Sequence, residues 1–276
     1  MADKSVLSGL KIGVIGCGNM GRALVRGLVE KSVYPQNISV YDVEKKKLDA
    51  VKKEASIKLA KSNRQCVSLS DVVILAVKPQ IIKEVIGEIS TAVPKDALVI
   101  SIAAGVSIKK IEEGFKRPVS IVRVMPNMPA LVGAGMSAFS LGRHASAKHR
   151  KITEAILSSF GEAVPVPEKM LDLVTAISGS GPAYFFLLAE KMIEAAYEMG
   201  MKVDVAKKLV YQTAFGSGKV LALSTEDPEE LIAKVASKGG TTEAALKAFQ
   251  KKGFGKIVHE GVKAAYKRSI QLREEK

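Results

Sequence analysis

The first part of the chain carries short, unbroken aliphatic blocks rather than alternating ones. Lys11–Gly16, Ile38–Asp42, Val72–Val77, Leu98–Ala103, Ile121–Met125, Met136–Phe139 and Ala163–Val166 read as strands. Continuous Val, Ile and Leu is the pattern of parallel strands covered on both faces. Between the blocks, apolar residues at three- and four-residue spacing predict helices over Met20–Lys31, Glu44–Glu54, Ile81–Ile89, Ile108–Phe115 and Ala147–Phe160. This β-α-β-α order predicts an α/β fold with an open, doubly wound parallel sheet and helices on both sides.

The pattern changes at Pro165-Val-Pro167, after which strand signals vanish and Ala-rich amphipathic stretches take over. Helices are predicted over Ala183–Met199 with Pro182 in the first turn, and over Val205–Ser224 with Asp204 as cap. A third starts at Asp227-Pro228-Glu229-Glu230, and Thr242–Lys251 and Gly255–Glu275 complete the set. The expected division is therefore 1–167, a sheet domain, and 168–276, an all-helical domain. Several long helices with apolar faces in so short a stretch imply surface buried against a second subunit.

Composition narrows the class. The 276 residues, 47% hydrophobic, suit one large or two modest domains with a proper core. Val72–Val77, the longest uninterrupted aliphatic run, is too short to span a bilayer, and Met1-Ala-Asp-Lys-Ser-Val lacks the apolar core of a secretory signal. Cys17 and Cys66 form neither a CxxC pair nor a metal spacing, so a reducing cytoplasm is expected. Of the net charge of +14, most lies in 1–167, which holds 25 basic and 14 acidic side chains. Those lysines are interleaved with glutamates and lack aromatic or zinc-finger companions, which argues against nucleic acid. A solvated lysine face, or attraction of a small anion, remains.

The sharpest motif is Gly16-Cys17-Gly18-Asn19-Met20-Gly21, directly after a strand and opening a helix. Gly16 would permit the tight turn, Gly18 close approach of backbone to a pyrophosphate, and Gly21 close packing of helix on strand. The helix start adds free N–H groups and a partial positive charge. With the strand before it and the helix after, the motif reads as the dinucleotide-binding turn of a Rossmann-type domain, a merely structural glycine turn being the alternative. Asp42, at the end of the second strand, suits the ribose hydroxyls of NADH, while Lys45, Lys46 and Lys47 leave NADPH open.

Three further strand tips, Ala76-Val-Lys78-Pro79, Ser101-Ile-Ala-Ala104-Gly105 and Met125-Pro-Asn-Met-Pro129, would line the same crevice, although turn chemistry alone can explain each. In the helical half, Ser178-Gly-Ser-Gly-Pro182 interrupts a helical pattern. Gly239-Gly240-Thr241-Thr242-Glu243 offers a helix start whose N–H groups suit a carboxylate and whose threonine hydroxyl suits a substrate nitrogen. Helix capping by Thr241 or Thr242 is the alternative.

Taken together, Gly16–Gly21, Ala76-Val-Lys-Pro79, Ala103-Ala-Gly105, Arg123-Val-Met-Pro-Asn127, Leu173–Tyr184 and Gly239-Gly-Thr-Thr242 resemble the pyrroline-5-carboxylate reductase family nearly end to end. Family members usually read Ser-Pro-Gly-Gly where this chain has Ser237-Lys238-Gly239-Gly240. The resemblance implies a Rossmann domain and a helical dimerisation domain, with homodimers that in many relatives form a decamer. The active site would lie where the cofactor cleft of one subunit meets helices interlocked between two. It implies NADPH or NADH as cofactor, contacted also by Asn63, Lys78, Ala104 and Gly105, and 1-pyrroline-5-carboxylate as substrate. Ser237, Gly240, Thr241 and Thr242 would hold that substrate, with Gly240 and Thr241 N–H groups on its carboxylate and Thr242 on the imine nitrogen as the catalytic contact. A β-hydroxyacid dehydrogenase would instead need a lysine soon after Gly181, and none occurs before Lys191. A non-catalytic nucleotide-binding module is the third reading. His144, His149 and His259 stand outside every motif.

Overall fold

The aliphatic blocks form a single eight-stranded sheet in a computed structural model that describes residues 4–31 and 33–275. Met1, Ala2 and Asp3 of the N-terminal reading lie outside the described residues. The strands are β1 (Ile12–Ile15), β2 (Ile38–Tyr41), β3 (Lys58–Leu59), β4 (Val72–Leu75), β5 (Leu98–Ser101), β6 (Ser120–Met125), β7 (Gly135–Leu141) and β8 (Gly161–Pro165), in the order β3-β2-β1-β4-β5-β6-β7-β8. The first six run parallel, with helices α1 (Asn19–Lys31), α2 (Lys45–Glu54), α3 (Asn63–Val67), α4 (Ile82–Ile89), α5 (Ile108–Phe115) and α6 (Ala147–Leu157) around them. This is a Rossmann-type sheet with two added strands.

Every residue of β1, β4 and β5 is buried. Alternation then divides them between two cores, because successive side chains point to opposite faces. Val72 and Ile74 of β4 join Leu24 and Leu28 of α1 and Ile156 of α6. Val73 and Leu75 join Ile86 and Ile89 of α4 and Ile111 and Phe115 of α5. The added strands depart from the all-parallel expectation, since β7 runs antiparallel to β6. A parallel crossover needs about a dozen residues or more, and the link 126–134 is too short for one. Helix α6 then carries the chain to β8, parallel to β7.

Beyond β8 the chain is helical: α7 (Leu171–Val174), α8 (Gly181–Glu198), α9 (Val203–Leu223), α10 (Pro228–Val235), α11 (Thr241–Lys251) and α12 (Phe254–Glu274). Asp227 occupies the N-cap position of α10, whose start falls where expected, and Glu230 reaches back to accept the Asp227 N–H at 3.0 Å. Asp204 does not cap α9; the helix begins at Val203, which puts Asp204 in the first turn, where its charge favours the dipole. The chain falls into two compact units, 1–180 with 265–276, and 181–264, a division that differs from the one expected at 167/168. Glu168 ties residues 168–180 to Arg123 of β6, and Asp172 ties them to the end of α12. Its carboxylate is 2% exposed, accepts a hydrogen bond from Ser269 Oγ at 3.0 Å and pairs with Arg273 Nη1 at 2.8 Å.

The second unit has little interior of its own. Among its described residues only Gly181, Ala206 and Val210 of α8 and α9 are buried, while Phe185, Phe186, Tyr197, Leu209, Tyr211 and Phe215 stand exposed. The helical run 168–198 is by length and composition apolar enough to cross a membrane, a property hidden from a search for uninterrupted aliphatic residues. Its mean hydropathy peaks at 1.3, and a single run of that kind is weak evidence for a span.

Replacing Asp172 by Ala should leave the Arg273 guanidinium unpaired and cost about 2 to 3 kcal/mol in urea unfolding. An unchanged midpoint would show that the C-terminal helix is held by other contacts.

Candidate functional site

The turn after β1 is shaped by what its glycines lack. Gly16 has φ +101°, and a Cβ there would sit 2.5 Å from the Ala76 carbonyl oxygen. A Cβ on Gly21 would sit 2.1 Å from the Gly16 carbonyl oxygen. Helix α1 can therefore start against the tips of β1 and β4 only with glycine at both positions. Gly18 is different: nothing among the described residues lies within 4 Å of a Cβ built on it. The space it leaves is available to a ligand. Asn19 and Met20 begin α1, whose first-turn N–H groups have no intrahelical acceptor.

Asp42 stands just beyond β2 and is held rigidly. Its Oδ2 accepts the Cys17 N–H at 2.7 Å and its Oδ1 the Glu44 N–H at 2.9 Å. Burial first, and the nearby Asp42 charge second, push the Cys17 thiol up to about 12; burial pushes Cys66 up to about 11. Both thiols are therefore neutral near pH 7 and serve as small core side chains. At β4 the tip continues through Ala76, whose N–H donates to Ile15 at 2.8 Å, to the exposed Lys78. After β5 come the exposed Ala104 and the buried Gly105, with φ +73°.

Asn63 opens α3, a short helix that the pattern of apolar residues did not reveal. Ser62 caps it, accepting the Gln65 N–H at 3.2 Å, and the Ser-x-x-Gln spacing was the available signal. Asn63 is 7% exposed and gives its Nδ2 to Glu88 at 2.6 Å, but its Oδ1 has no partner among the described residues. A buried acceptor without a donor is costly unless a ligand or water completes it. The residues thus fit a dinucleotide: a cradle at Gly18, a helix start for phosphate, a fixed carboxylate at β2 and an uncompleted amide. These lie at the carboxyl ends of β1, β2 and β3 or in the segments after them, where such sheets bind ligands.

Two motifs that sequence reasoning treated separately meet. Asn127, after β6, gives its Nδ2 to Ser178 Oγ at 3.2 Å and accepts the Met136 N–H at 2.8 Å. Residues Thr175–Gly179 do not break the helix but form a π turn, in which Ser180 N–H reaches the Thr175 carbonyl at 2.8 Å. A Cβ on Gly179 would lie 2.6 Å from Met125 Cε, the flexible end of a side chain that can move aside. Within β6, the buried Arg123 pairs with Glu168 at 3.2 Å, and Glu168 also accepts the Ile108 N–H at 2.8 Å.

The loop before α11 is braced within the second unit. Gly239, with φ +76°, donates its N–H to Glu243 Oε2 at 2.7 Å. That bond, then Lys247, hold the Glu243 carboxyl below the usual carboxylate range, so the brace persists until pH falls through that lowered value. The Gly240 N–H, expected as a carboxylate donor, is instead engaged by the Ser237 carbonyl at 3.0 Å. Gly240 itself occupies the cap position without a side-chain cap bond, so neither Thr241 nor Thr242 caps α11. Their N–H groups belong to the first helical turn. Lys238 is exposed. His149 closes a capping box with Ser146 at the start of α6, a structural task. A cavity of about 730 Å³, lined by Phe185, Phe186, Tyr197 and Tyr211, is an apolar groove on the helices and holds none of these site residues. Among the described residues no group of His, Cys, Asp or Glu could hold a metal.

Comparison with known proteins adds the decisive observation. A pyrroline-5-carboxylate reductase of Synechocystis is 37% identical over 264 residues, 95% of this chain and 98% of that one. The chain belongs to the pyrroline-5-carboxylate reductase family. A relative of that name from Pseudomonas aeruginosa is 38% identical, covering 96% of this chain and 97% of its own. Among solved structures, the family's Coxiella burnetii member superposes with a TM-score of 0.90 at 34% identity, covering 95% and 98% of the two chains. A Plasmodium falciparum pyrroline carboxylate reductase with NADP bound gives 0.85 at 32% identity, covering 97% and 99%. Residues 168–272 match the model "Pyrroline-5-carboxylate reductase dimerisation", and 11–105 match "NADP oxidoreductase coenzyme F420-dependent". The helical half is thus a dimerisation domain, which accounts for its exposed aromatic and aliphatic side chains, and the family uses NAD(P)H.

The glycines separate two effects. Gly18→Ala should unfold within about 0.5 kcal/mol of the parent, since nothing opposes the new methyl, yet weaken NADH binding at least about tenfold. Gly21→Ala should lose both stability and binding. Equal NADH affinity in a folded Gly18→Ala protein would show that the turn does not cradle the cofactor.

Proposed function

We propose that the protein reduces the C=N bond of 1-pyrroline-5-carboxylate to give L-proline, the last step of proline biosynthesis. The observation that carries this is the braced start of α11, where two uncapped threonines stand beside free first-turn N–H groups in a chain that also bears a dinucleotide turn. NADH or NADPH, when bound, supplies the hydride.

The cofactor contacts are Gly16, Gly18, Asn19, Met20, Gly21, Asp42, Asn63, Ala76, Lys78, Ala104 and Gly105. The turn and helix start hold the pyrophosphate, and the β4 and β5 tips line the crevice. On the substrate side, the N–H groups of Thr241 and Thr242 take the carboxylate, helped by the positive end of the helix dipole. Gly240 and Ser237 shape that start through their mutual hydrogen bond. The Thr242 hydroxyl bonds the ring nitrogen and fixes which carbon faces the cofactor. A protonated imine is already electrophilic, so the protein works by orientation rather than by a proton shuttle. The absence of histidine from every motif fits that economy.

The working unit is a homodimer, five of which form the decamer that the family resemblance implies, and sedimentation should give the mass of ten chains. The buried, unpaired Cys17 and Cys66 support a cytoplasmic setting, and the lysine pattern supports neither nucleic acid nor membrane as partner.

Oxidation of NADH and NADPH should be rapid with 1-pyrroline-5-carboxylate and negligible with a β-hydroxyacid dehydrogenase's semialdehyde substrate. Thr242→Ala, at a half-buried position, should lower kcat/KM about 10- to 100-fold, the worth of a hydrogen bond to a charged group, with little change in Tm. Near-normal kcat/KM in that folded variant would remove Thr242 from the mechanism.

A further inference from the structure

We infer that this chain selects NADH over NADPH, with Asp42 as the residue that excludes the 2′-phosphate, an inference that rests on the dinucleotide reading of the Gly16–Gly21 turn. A carboxylate at the end of the second strand is an ambiguous signal when its side chain can swing away or be neutralised by a neighbouring cation. Neither escape is open here. Both Asp42 oxygens are gripped by backbone, Oδ2 by the Cys17 N–H at 2.7 Å and Oδ1 by the Glu44 N–H at 2.9 Å. A carboxylate has about four acceptor positions, so after these two bonds about two remain. That matches the two hydroxyls of an unphosphorylated ribose.

The two cations nearest Asp42, Arg22 and Lys47, each already hold a carboxylate, and Arg22 Nε is left without a partner among the described residues. Arg22 and Lys47 are near enough for their charges to act on the Cys17 thiol, whose own N–H binds Asp42. Arg22 Nη2 is bound to Glu54, at the end of α2, and Lys47 Nζ is bound to Glu44. Lys45 and Lys46 are exposed at the start of α2, where a flexible ammonium in bulk water contributes little to a single ion pair. A 2′-phosphate would therefore bring about two negative charges against a fixed carboxylate with no preorganised guanidinium to receive them. The lysines that left NADPH open in the sequence do not form a phosphate clamp in the structure.

The test is equilibrium binding to the substrate-free protein, by calorimetry with NADH and NADPH and with ADP-ribose and its 2′-phosphate as probes lacking nicotinamide chemistry. The parent protein should bind NADH at least about tenfold more tightly than NADPH, and ADP-ribose more tightly than its 2′-phosphate by a similar factor. Asp42→Ser should erase or reverse that preference. Glu54→Gln keeps the Asp42 grip intact and releases Arg22; it should tighten NADPH severalfold and leave NADH unchanged, so the inference survives or fails even if Asp42→Ser does not fold. Equal or tighter NADPH binding by the parent, or an unaltered preference in both variants, would overturn the role of Asp42 while leaving the reductase reading intact. Binding of neither dinucleotide would overturn both.

Discussion

Helix α1 can leave β1 where it does only because positions 16 and 21 carry no side chain. The Gly16 carbonyl fills the space of a Gly21 Cβ, and Ala76 fills that of a Gly16 Cβ. This contact sets the tips of β1 and β4 against the start of α1, and the loops after β2 and β5 gather around the same edge. The crevice and its phosphate-facing helix start are consequences of one close backbone approach. The unbroken aliphatic strands serve it by supplying two cores, one per sheet face, that keep the turn from relaxing.

The helical unit follows a different logic. Its helices α8 and α9 contact each other but bury almost nothing, and the aromatic residues that would normally form a core stand in the open. A domain of that kind is completed by another copy of itself, as the dimerisation family match indicates. Local order in the loop before α11 comes from a smaller device. Glu243 folds back on Gly239, the Ser237 carbonyl takes the Gly240 N–H, and the next two residues present donors and hydroxyls with no structural task assigned to them.

The central strands were legible because β1, β4 and β5 are buried on both faces and almost wholly aliphatic, whereas the two-residue, partly exposed β3 carries no such block; the major helices were legible from spacing. Antiparallel β7 was not, since a four-residue apolar segment has the same pattern in either direction and only the shortness of the link 126–134 decides. The π turn at Thr175–Gly179 looked like a break because glycine and serine lower helix propensity, whereas its stability comes from a tertiary partner, Asn127. Asn63 entered only through family resemblance, though Ser62 and Gln65 marked the helix it begins. The engagement of Gly240 by Ser237, and of Lys47 by Glu44, depend on rotamers and turn geometry that residue types alone do not state.

On the proposed reading, one imine reduction uses both the cofactor held at the Gly16–Gly21 turn and the substrate held at the start of α11. Incubation with 1-pyrroline-5-carboxylate and NADH carrying deuterium at C4 of the nicotinamide, followed by mass spectrometry and NMR of the product, tests that most directly. The account predicts L-proline carrying one deuterium at the ring carbon that was doubly bonded to nitrogen, from one of the two C4-labelled epimers only. Tight binding of both molecules without deuterated proline would contradict it.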